Sequence, residues 1–171
     1  MSSIKFFSKT GPVNPFRAHW YGTDTETLFK ENLEKQPEDW EYRTKEVFYD
    51  INSQGFRGQE LDEVNWNESI VLFGCSQAFG NGIAEEDTIA RQLEKITDTP
   101  VVNMGVGGGS NDITIANMSL LAMMGARPKA VINLWTSPHR FSFFGENRVA
   151  TTIGPWLTQG FVGAREGVVE L

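Results

Sequence analysis

Short apolar runs alternate with helix-like stretches through the centre of the chain. Residues 69–73, 100–104 and 130–135 are apolar runs of strand length, each bounded by glycine or loop residues, and they predict three strands, of which the first is buried. The intervening residues 87–97 and 112–124 carry apolar positions at helical spacing and predict two helices. The order of these elements predicts a parallel sheet with strand order 2-1-3 and one helix on each face.

Polar residues at the ends of the two helices indicate where each begins and stops. Asp87 is the predicted N-cap of the first helix, since its carboxylate can accept an unpaired backbone N–H. Ser110 or Asn111 serves the second helix in the same way, and Gly125 suits the left-handed position after its last turn. The predicted buried face of this second helix contains four residues: Ile113, Ala116, Leu120 and Met123.

The two ends of the chain have weaker patterns. Residues 1–45 are polar with scattered aromatic side chains, and they predict an N-terminal extension that packs on the main domain. Residues 46–171 form that domain, although their last part, residues 145–171, is glycine-rich without clear periodicity. The chain of 171 residues is long enough for one domain with a sizeable core.

Composition limits the classes of partner. The net charge of −7 opposes nonspecific binding to nucleic acid or to an anionic membrane surface. No apolar run is long enough to span a bilayer and no signal peptide is evident, so a cytoplasmic location is expected. The single cysteine, Cys75, excludes an internal disulfide, and two histidines with one cysteine form no recognisable metal-ligand set. No cofactor is therefore expected.

Three loops follow the predicted strands: 74–82, 105–111 and 136–141. The carboxyl ends of parallel strands share one edge of the sheet, where ligands usually bind. Ser76 lies in the first loop directly after a strand, so its hydroxyl is a candidate nucleophile if a base and oxyanion donors are near. The alternative is that Ser76 only caps or turns the chain.

The second and third loops each allow two interpretations. Gly105-x-Gly107-x-x-Ser110 approximates a dinucleotide fingerprint, but serine replaces the third glycine and no acidic residue ends the next strand. No Gly-Lys-Ser/Thr sequence occurs, which excludes a P-loop. The loop is then either a flexible turn or a row of N–H groups suited to an oxyanion. Residues 136–140 offer two hydroxyls, an imidazole and a guanidinium, or form a solvated turn.

These loops resemble the motifs of the SGNH/GDSL serine hydrolase superfamily. Residues 74–83, Gly-Cys-Ser-Gln-Ala-Phe-Gly-Asn-Gly-Ile, are similar to its Gly-Asp-Ser block, with Cys75 in place of aspartate. Residues 103–110 resemble its Asn-x-Gly-x-x-Gly block, and residues 52–58 look like a stretch that often precedes the nucleophile strand. The resemblance covers about residues 48–141. It implies a flavodoxin-like three-layer α/β/α fold and hydrolysis of carboxylic esters, among them carbohydrate O-acetyl esters.

The resemblance also implies roles for individual residues. Ser76 matches the nucleophile and first oxyanion N–H donor, and Gly108 matches the second, with Gly107 as the alternative. Ser137 stands near the family's asparagine, where it could donate a third hydrogen bond. His139 leaves the third strand beside the site and is a candidate substitute base.

Two departures from the family leave two functions open. Trp135-Thr-Ser-Pro138 replaces the Gly-x-Asn-Asp block, and no aspartate follows Asp112, so the Asp-x-x-His block is absent. One interpretation is an ester hydrolase whose chain is C-terminally incomplete, which would leave strand 130–135 at an exposed sheet edge. The other is an inactive binding or assembly module that keeps the fold. Only the hydrolase interpretation predicts a substrate, which is a small-molecule or carbohydrate ester.

Overall fold

The computed structural model describes residues 4–155 of the chain. Its strands are β1 (Phe16–Ala18), β2 (Tyr49–Ile51), β3 (Ile70–Gly74), β4 (Val101–Gly105), β5 (Ala130–Leu134), β6 (Phe141–Phe144) and β7 (Ala150–Ile153). Its α-helices are α1 (Glu26–Leu33), α2 (Ser76–Phe79), α3 (Ile89–Thr97) and α4 (Asn111–Met123). None of the helices in this part of the chain is long and apolar enough to cross a membrane.

The centre of the molecule is a parallel sheet of three strands in the order β4-β3-β5. This confirms the predicted strand order and an α/β architecture. The register places Gly74 of β3 beside Gly105 of β4 and Leu134 of β5, so the three carboxyl ends lie at one edge of the sheet. The loops that follow these strands consequently start side by side.

Alternate residues of the central strand face different helices. Val71 and Phe73 pack in one cluster with Ile113 and Leu121 of α4. Ile70 and Leu72 pack in another cluster with residues of α3, chiefly Ala90 and Leu93. The side chains of a strand alternate between the two faces of its sheet, so α3 and α4 lie on opposite faces, as predicted.

The N-cap predicted for the first helix is wrong. Helix α3 begins one residue later than that cap requires, and Thr88 Oγ1 accepts the hydrogen bond from the Arg91 N–H. Asp87 belongs to a 3₁₀ turn, where its carboxylate accepts the Tyr42 hydroxyl at 2.6 Å and pairs with Lys45. These long-range partners outcompete a local cap. Burial, then the Asp87 contact, raises the pKa of Tyr42 to about 12.

The buried face predicted for the second helix is partly wrong: Ile113 is buried and Leu120 packs on the core, but Met123 is exposed, and the caps are confirmed. Ser110 accepts from the Asp112 N–H, and Gly125 has a φ of 76°. The buried residues are Ile113, Thr114, Asn117 and Leu121, whereas Met123 is 78% exposed. Asn117 is buried because its amide bonds both the N–H and the carbonyl of Phe7 at 2.8 Å, which satisfies a polar group in the core.

Two antiparallel pairs complete the described structure. β1 pairs with β2 and β6 pairs with β7, and neither pair was predicted. The β6–β7 pair is joined to the start of α4 through hydroxyls: Ser142 Oγ lies 2.7 Å from Ser110 Oγ and 2.8 Å from Thr152 Oγ1. This places β7 beside the edge where the three parallel strands end.

Residues of the predicted N-terminal extension pack on the rest of the fold. Phe6 is buried in the cluster between the sheet and α4. Tyr42 is buried with Tyr49, Ile51 and Phe79, so one core contains residues from both sides of position 45. The position of a domain boundary stays a prediction.

Candidate functional site

A crevice of about 610 Å³ opens at the carboxyl ends of the parallel strands. The first two strand-end loops contribute Ser76, Gly107 and Gly108 to its lining, and the third contributes Arg140. Its other walls come from the N-terminal region and from β7, with Lys9, Tyr21, Gly22, Thr23, Ala150, Thr151 and Thr152. The crevice expected from three loops leaving one sheet edge is present.

Two glycines at the ends of adjacent strands let the Ser76 turn form. Ser76 is the first residue of α2, which starts immediately after β3. A Cβ at Gly105 would lie 2.4 Å from Phe79 N, a distance that real side chains do not adopt. Gly74 has a φ of 154°, which residues with a side chain rarely adopt. Helix α2 can pack against β4 only because both positions lack a side chain.

Asn103 fixes the same turn from the neighbouring strand. Its Nδ2 donates to the Ala78 carbonyl at 2.9 Å, and its Oδ1 accepts from the Gly105 N–H at 2.9 Å. One side chain thus joins the end of β4 to the helix that begins with Ser76. Asn103 is a positioning residue for the candidate nucleophile.

Arg57 holds the segment after α2, and sequence analysis gave it no role. Its guanidinium is 1% exposed and donates to the carbonyl of Gly80, and to those of Phe48 and Ile83 at 2.9 and 3.0 Å. Glu85 Oε2 lies 2.9 Å from its Nε, a charge contact without hydrogen-bond geometry. An arginine between apolar and glycine residues was the only sequence signal for this role.

The third loop is bound to the first two. The Asn111 amide accepts from the Thr136 N–H at 2.9 Å and donates to the Thr136 carbonyl at 3.1 Å. Burial raises the pKa of the Cys75 thiol. The effect of burial is outweighed by the Arg140 charge and by hydrogen bonds from Thr136, the Gln77 N–H and Ser76. The pKa of the Cys75 thiol therefore lies below its ordinary value.

Two residues that line the crevice have backbone N–H groups without an acceptor in the described structure. The N–H of Ser76 is at the first position of a helix, where no intrahelical acceptor exists. Within residues 4–155, neither this group nor the N–H of Gly108 donates to another residue. Gly108 lies in the left-handed region with φ of 74°, which shapes the loop around the crevice.

The other two predicted site residues lie outside the lining of the crevice. Ser137 Oγ accepts from the His139 N–H at 3.3 Å, and the His139 side chain is exposed. Ser76 Oγ has one side-chain contact in the described part of the chain, with Cys75 Sγ at 3.9 Å. The structure therefore brings Ser76 and Gly108 together, but it does not place an imidazole or Ser137 against the Ser76 hydroxyl.

Sequence analysis missed the lining that comes from outside the three loops. The Tyr21 ring stacks on Phe79 at 5.6 Å and forms an apolar wall, beside which Thr23 and the β7 threonines supply hydroxyls. Their positions depend on tertiary packing of the N-terminal region and of a short hairpin. The alternation of Phe141-Ser142-Phe143 was the one local signal for that hairpin.

Residues 4–155 contain no cluster of three or more His, Cys, Asp or Glu side chains that could hold a metal ion. Comparison with known proteins gives no matching family model, no matching curated protein and no matching solved structure.

Proposed function

We propose that the chain is a serine ester hydrolase of the SGNH/GDSL type, with a flavodoxin-like fold and Ser76 as nucleophile. The observation that carries the proposal is the position of Ser76. It starts a short helix after a central parallel strand, in one crevice with its own unbonded N–H and that of Gly108. Acyl transfer needs a nucleophile and oxyanion donors that face the same carbonyl, and the place of Ser76 and Gly108 in one crevice supports the proposal.

In the proposed reaction, Ser76 Oγ attacks the acyl carbon of the ester. The carbonyl oxygen becomes an oxyanion that accepts hydrogen bonds from the N–H groups of Ser76 and Gly108. The bond to the alcohol oxygen then breaks, and the proton taken from Ser76 passes to the leaving alcohol. Water then attacks the acyl-serine and gives one proton to the base, which passes it to Ser76 Oγ as the acyl–oxygen bond breaks, and the carboxylic acid is released.

The general base of this reaction is proposed to be His139. Of the two histidines in the chain, His19 stacks between Trp20 and Phe48 at 4.5 and 5.0 Å and lines a different pocket. His139 lies three residues beyond Thr136, which contacts Cys75 beside the nucleophile. A movement of the 136–140 loop is required to bring its imidazole to Ser76, since no such contact exists in the described structure.

The direct test is hydrolysis of 4-nitrophenyl acetate by the wild-type chain and by Ser76→Ala. We expect the variant to lose two to four decades in kcat/KM, the usual cost of removing a catalytic group. Ser119→Ala is the matched control, because Ser119 is exposed on α4 and its hydroxyl bonds only the Ile115 carbonyl. Equal rates for Ser76→Ala and wild type, with unchanged circular dichroism, would exclude Ser76 as nucleophile.

A second candidate function is a non-catalytic binding or assembly module. It is favoured by the Ser76 hydroxyl, which has no base against it among residues 4–155. A fluorophosphonate probe and His139→Ala separate the two functions. Labelling of Ser76 in wild type that falls by at least tenfold in His139→Ala supports the hydrolase with His139 as base. Labelling that is equal in both proteins eliminates His139, and no labelling of either favours the module.

A further inference from the structure

The charges that line the crevice are of one sign. Lys9 and Arg140 are the ionisable basic residues of its described lining, and no aspartate or glutamate belongs to that lining. In the whole chain acidic residues outnumber basic ones by 22 to 15. The described lining of this crevice therefore carries charge opposite in sign to the net charge of the chain.

The two cations come from separate parts of the fold. Lys9 belongs to the N-terminal segment beside the β-bridge between Ser8 and Val149. Arg140 follows β5, and its Nη1 donates to the Gly109 carbonyl at 3.3 Å. They approach the crevice from the N-terminal wall and from the third loop, so a ligand there meets positive charge from two directions.

We infer that this crevice selects esters whose non-reacting part carries an anionic group. The inference rests on the proposed function, because it names the class of ester that Ser76 would meet. A cleft lined by charge of one sign concentrates ligands of the opposite sign, and neighbouring carboxylates would cancel that effect. The apolar wall of Tyr21, Phe79 and Val106 accommodates the uncharged remainder of such an ester.

The matched probes are monomethyl succinate, which carries a carboxylate, and dimethyl succinate, which is neutral. Binding is measured on the Ser76→Ala protein by ¹⁵N chemical-shift titration, so that turnover does not enter the result. We expect the anionic ester to bind about fivefold more tightly at low salt, as a charge contact worth about 1 kcal/mol implies. The preference should decrease at 0.5 M salt, because exposed charges are then screened.

Lys9→Gln in the same background should remove most of the preference by weakening binding of the anionic ester. Lys5→Gln is the matched control, since Lys5 is an exposed lysine on the same segment outside the crevice lining. Arg140→Lys keeps the charge and should retain the preference, whereas Arg140→Gln should reduce it. Circular dichroism of each variant confirms that it has folded.

Equal binding of the two esters, or equal effects of Lys9→Gln and Lys5→Gln, overturns the inference. These outcomes are distinct from failure of the proposed function. If the anionic ester binds with the Lys9 dependence and wild type hydrolyses neither it nor 4-nitrophenyl acetate, the inference stands and the hydrolase proposal fails. If wild type hydrolyses both esters with the same kcat/KM, the hydrolase proposal stands and the inference fails.

Discussion

The residue beside the proposed nucleophile has an unusual environment. Cys75 precedes Ser76 and replaces the aspartate of the family block that it resembles. Burial raises the pKa of its thiol, but hydrogen bonds from Thr136, from the Gln77 N–H and from Ser76, with the Arg140 charge, outweigh burial and lower that pKa below its ordinary value. The contacts of the strand-end loops therefore also affect the titration of the residue beside Ser76.

We predict that the thiolate of Cys75 forms at lower pH in the folded chain than in the unfolded chain. Because the folded pKa is depressed, the thiolate stabilises the fold above the unfolded pKa, and this contribution is lost as pH falls through the folded pKa. Absorbance at 240 nm follows one cysteine. The pKa values of all three tyrosines are raised, so phenolate absorbance appears only at higher pH.

The control for this titration is the same protein in denaturant, where the single thiol titrates near its ordinary value. Thr136→Val removes the hydroxyl that bonds Cys75 and should raise the midpoint. A folded midpoint at or above that of the unfolded chain, or no response to Thr136→Val, contradicts the prediction.

Sequence alone could identify some single residues of the site and not others. Ser76 and Gly108 follow strands directly, so their place at the sheet edge is a consequence of the strand pattern. Arg57 and Tyr21 reach the site through contacts with residues more than twenty positions away, as in the bonds from Arg57 to Gly80 and Ile83. Local periodicity contains no information about such contacts.

At the scale of secondary structure, the junction of β3, α2 and β4 determines where Ser76 lies. Gly105→Ala would force a Cβ to within 2.7 Å of Ala78 C and even closer to Phe79 N. We expect it to lower the free energy of unfolding by about 1–3 kcal/mol, the range for overpacking, because a backbone segment must shift. It should also decrease fluorophosphonate labelling of Ser76, since α2 begins at that residue.

Gly145→Ala is the matched control for Gly105→Ala. Gly145 has a φ of −93°, and a Cβ there would be 3.7 Å from the nearest atom, Val149 O. Its effect on unfolding should be within about 0.5 kcal/mol, as for most surface substitutions. Similar stabilities for the two variants would show that the β4–α2 contact is not tight.

A second prediction about stability concerns Asn117 of helix α4. Asn117→Ala removes both hydrogen bonds to the Phe7 backbone and leaves a partly buried N–H and carbonyl without their partner. We expect a loss of about 1–3 kcal/mol in the free energy of unfolding, because these polar groups lose their hydrogen bonds. The comparison variant is Met123→Ala on the exposed side of the same helix, which should be nearly neutral. A neutral Asn117→Ala would mean that water replaces these bonds.

The elements that the sequence could predict are the strands of the parallel sheet and the helices packed on its two faces. β3, β4, α3 and α4 have strong apolar patterns because they form the core on both faces. The β1–β2 and β6–β7 pairs consist of strands of only three or four residues, and β1 and β6 have mostly exposed side chains, so any alternation in them is too short to predict a strand. The face of α4 was misassigned because a satisfied asparagine occupies a position that periodicity reserves for an apolar residue.

At the scale of the whole molecule, the exposed apolar surface and the net charge have opposite effects on self-association. In the described structure β5 pairs only with β3, so its other edge has no strand partner there. Val131 and Trp135 at this edge are 43% and 64% exposed, and Phe141 and Phe143 of β6 are also exposed. Open apolar strand edges promote association, whereas a net charge of −7 keeps copies apart.

We therefore predict that the chain self-associates, and that association increases with salt as the repulsion is screened. Sedimentation velocity at 0.02 and 0.5 M salt measures this over a range of protein concentrations. Val131→Lys places a charge on the strand edge and should shift the protein to monomer at both salt concentrations. Met123→Lys adds the same charge on the exposed side of α4 and should leave association essentially as in wild type. A monomer at every concentration and salt, or equal effects of the two lysines, would show that the β5 edge does not drive association.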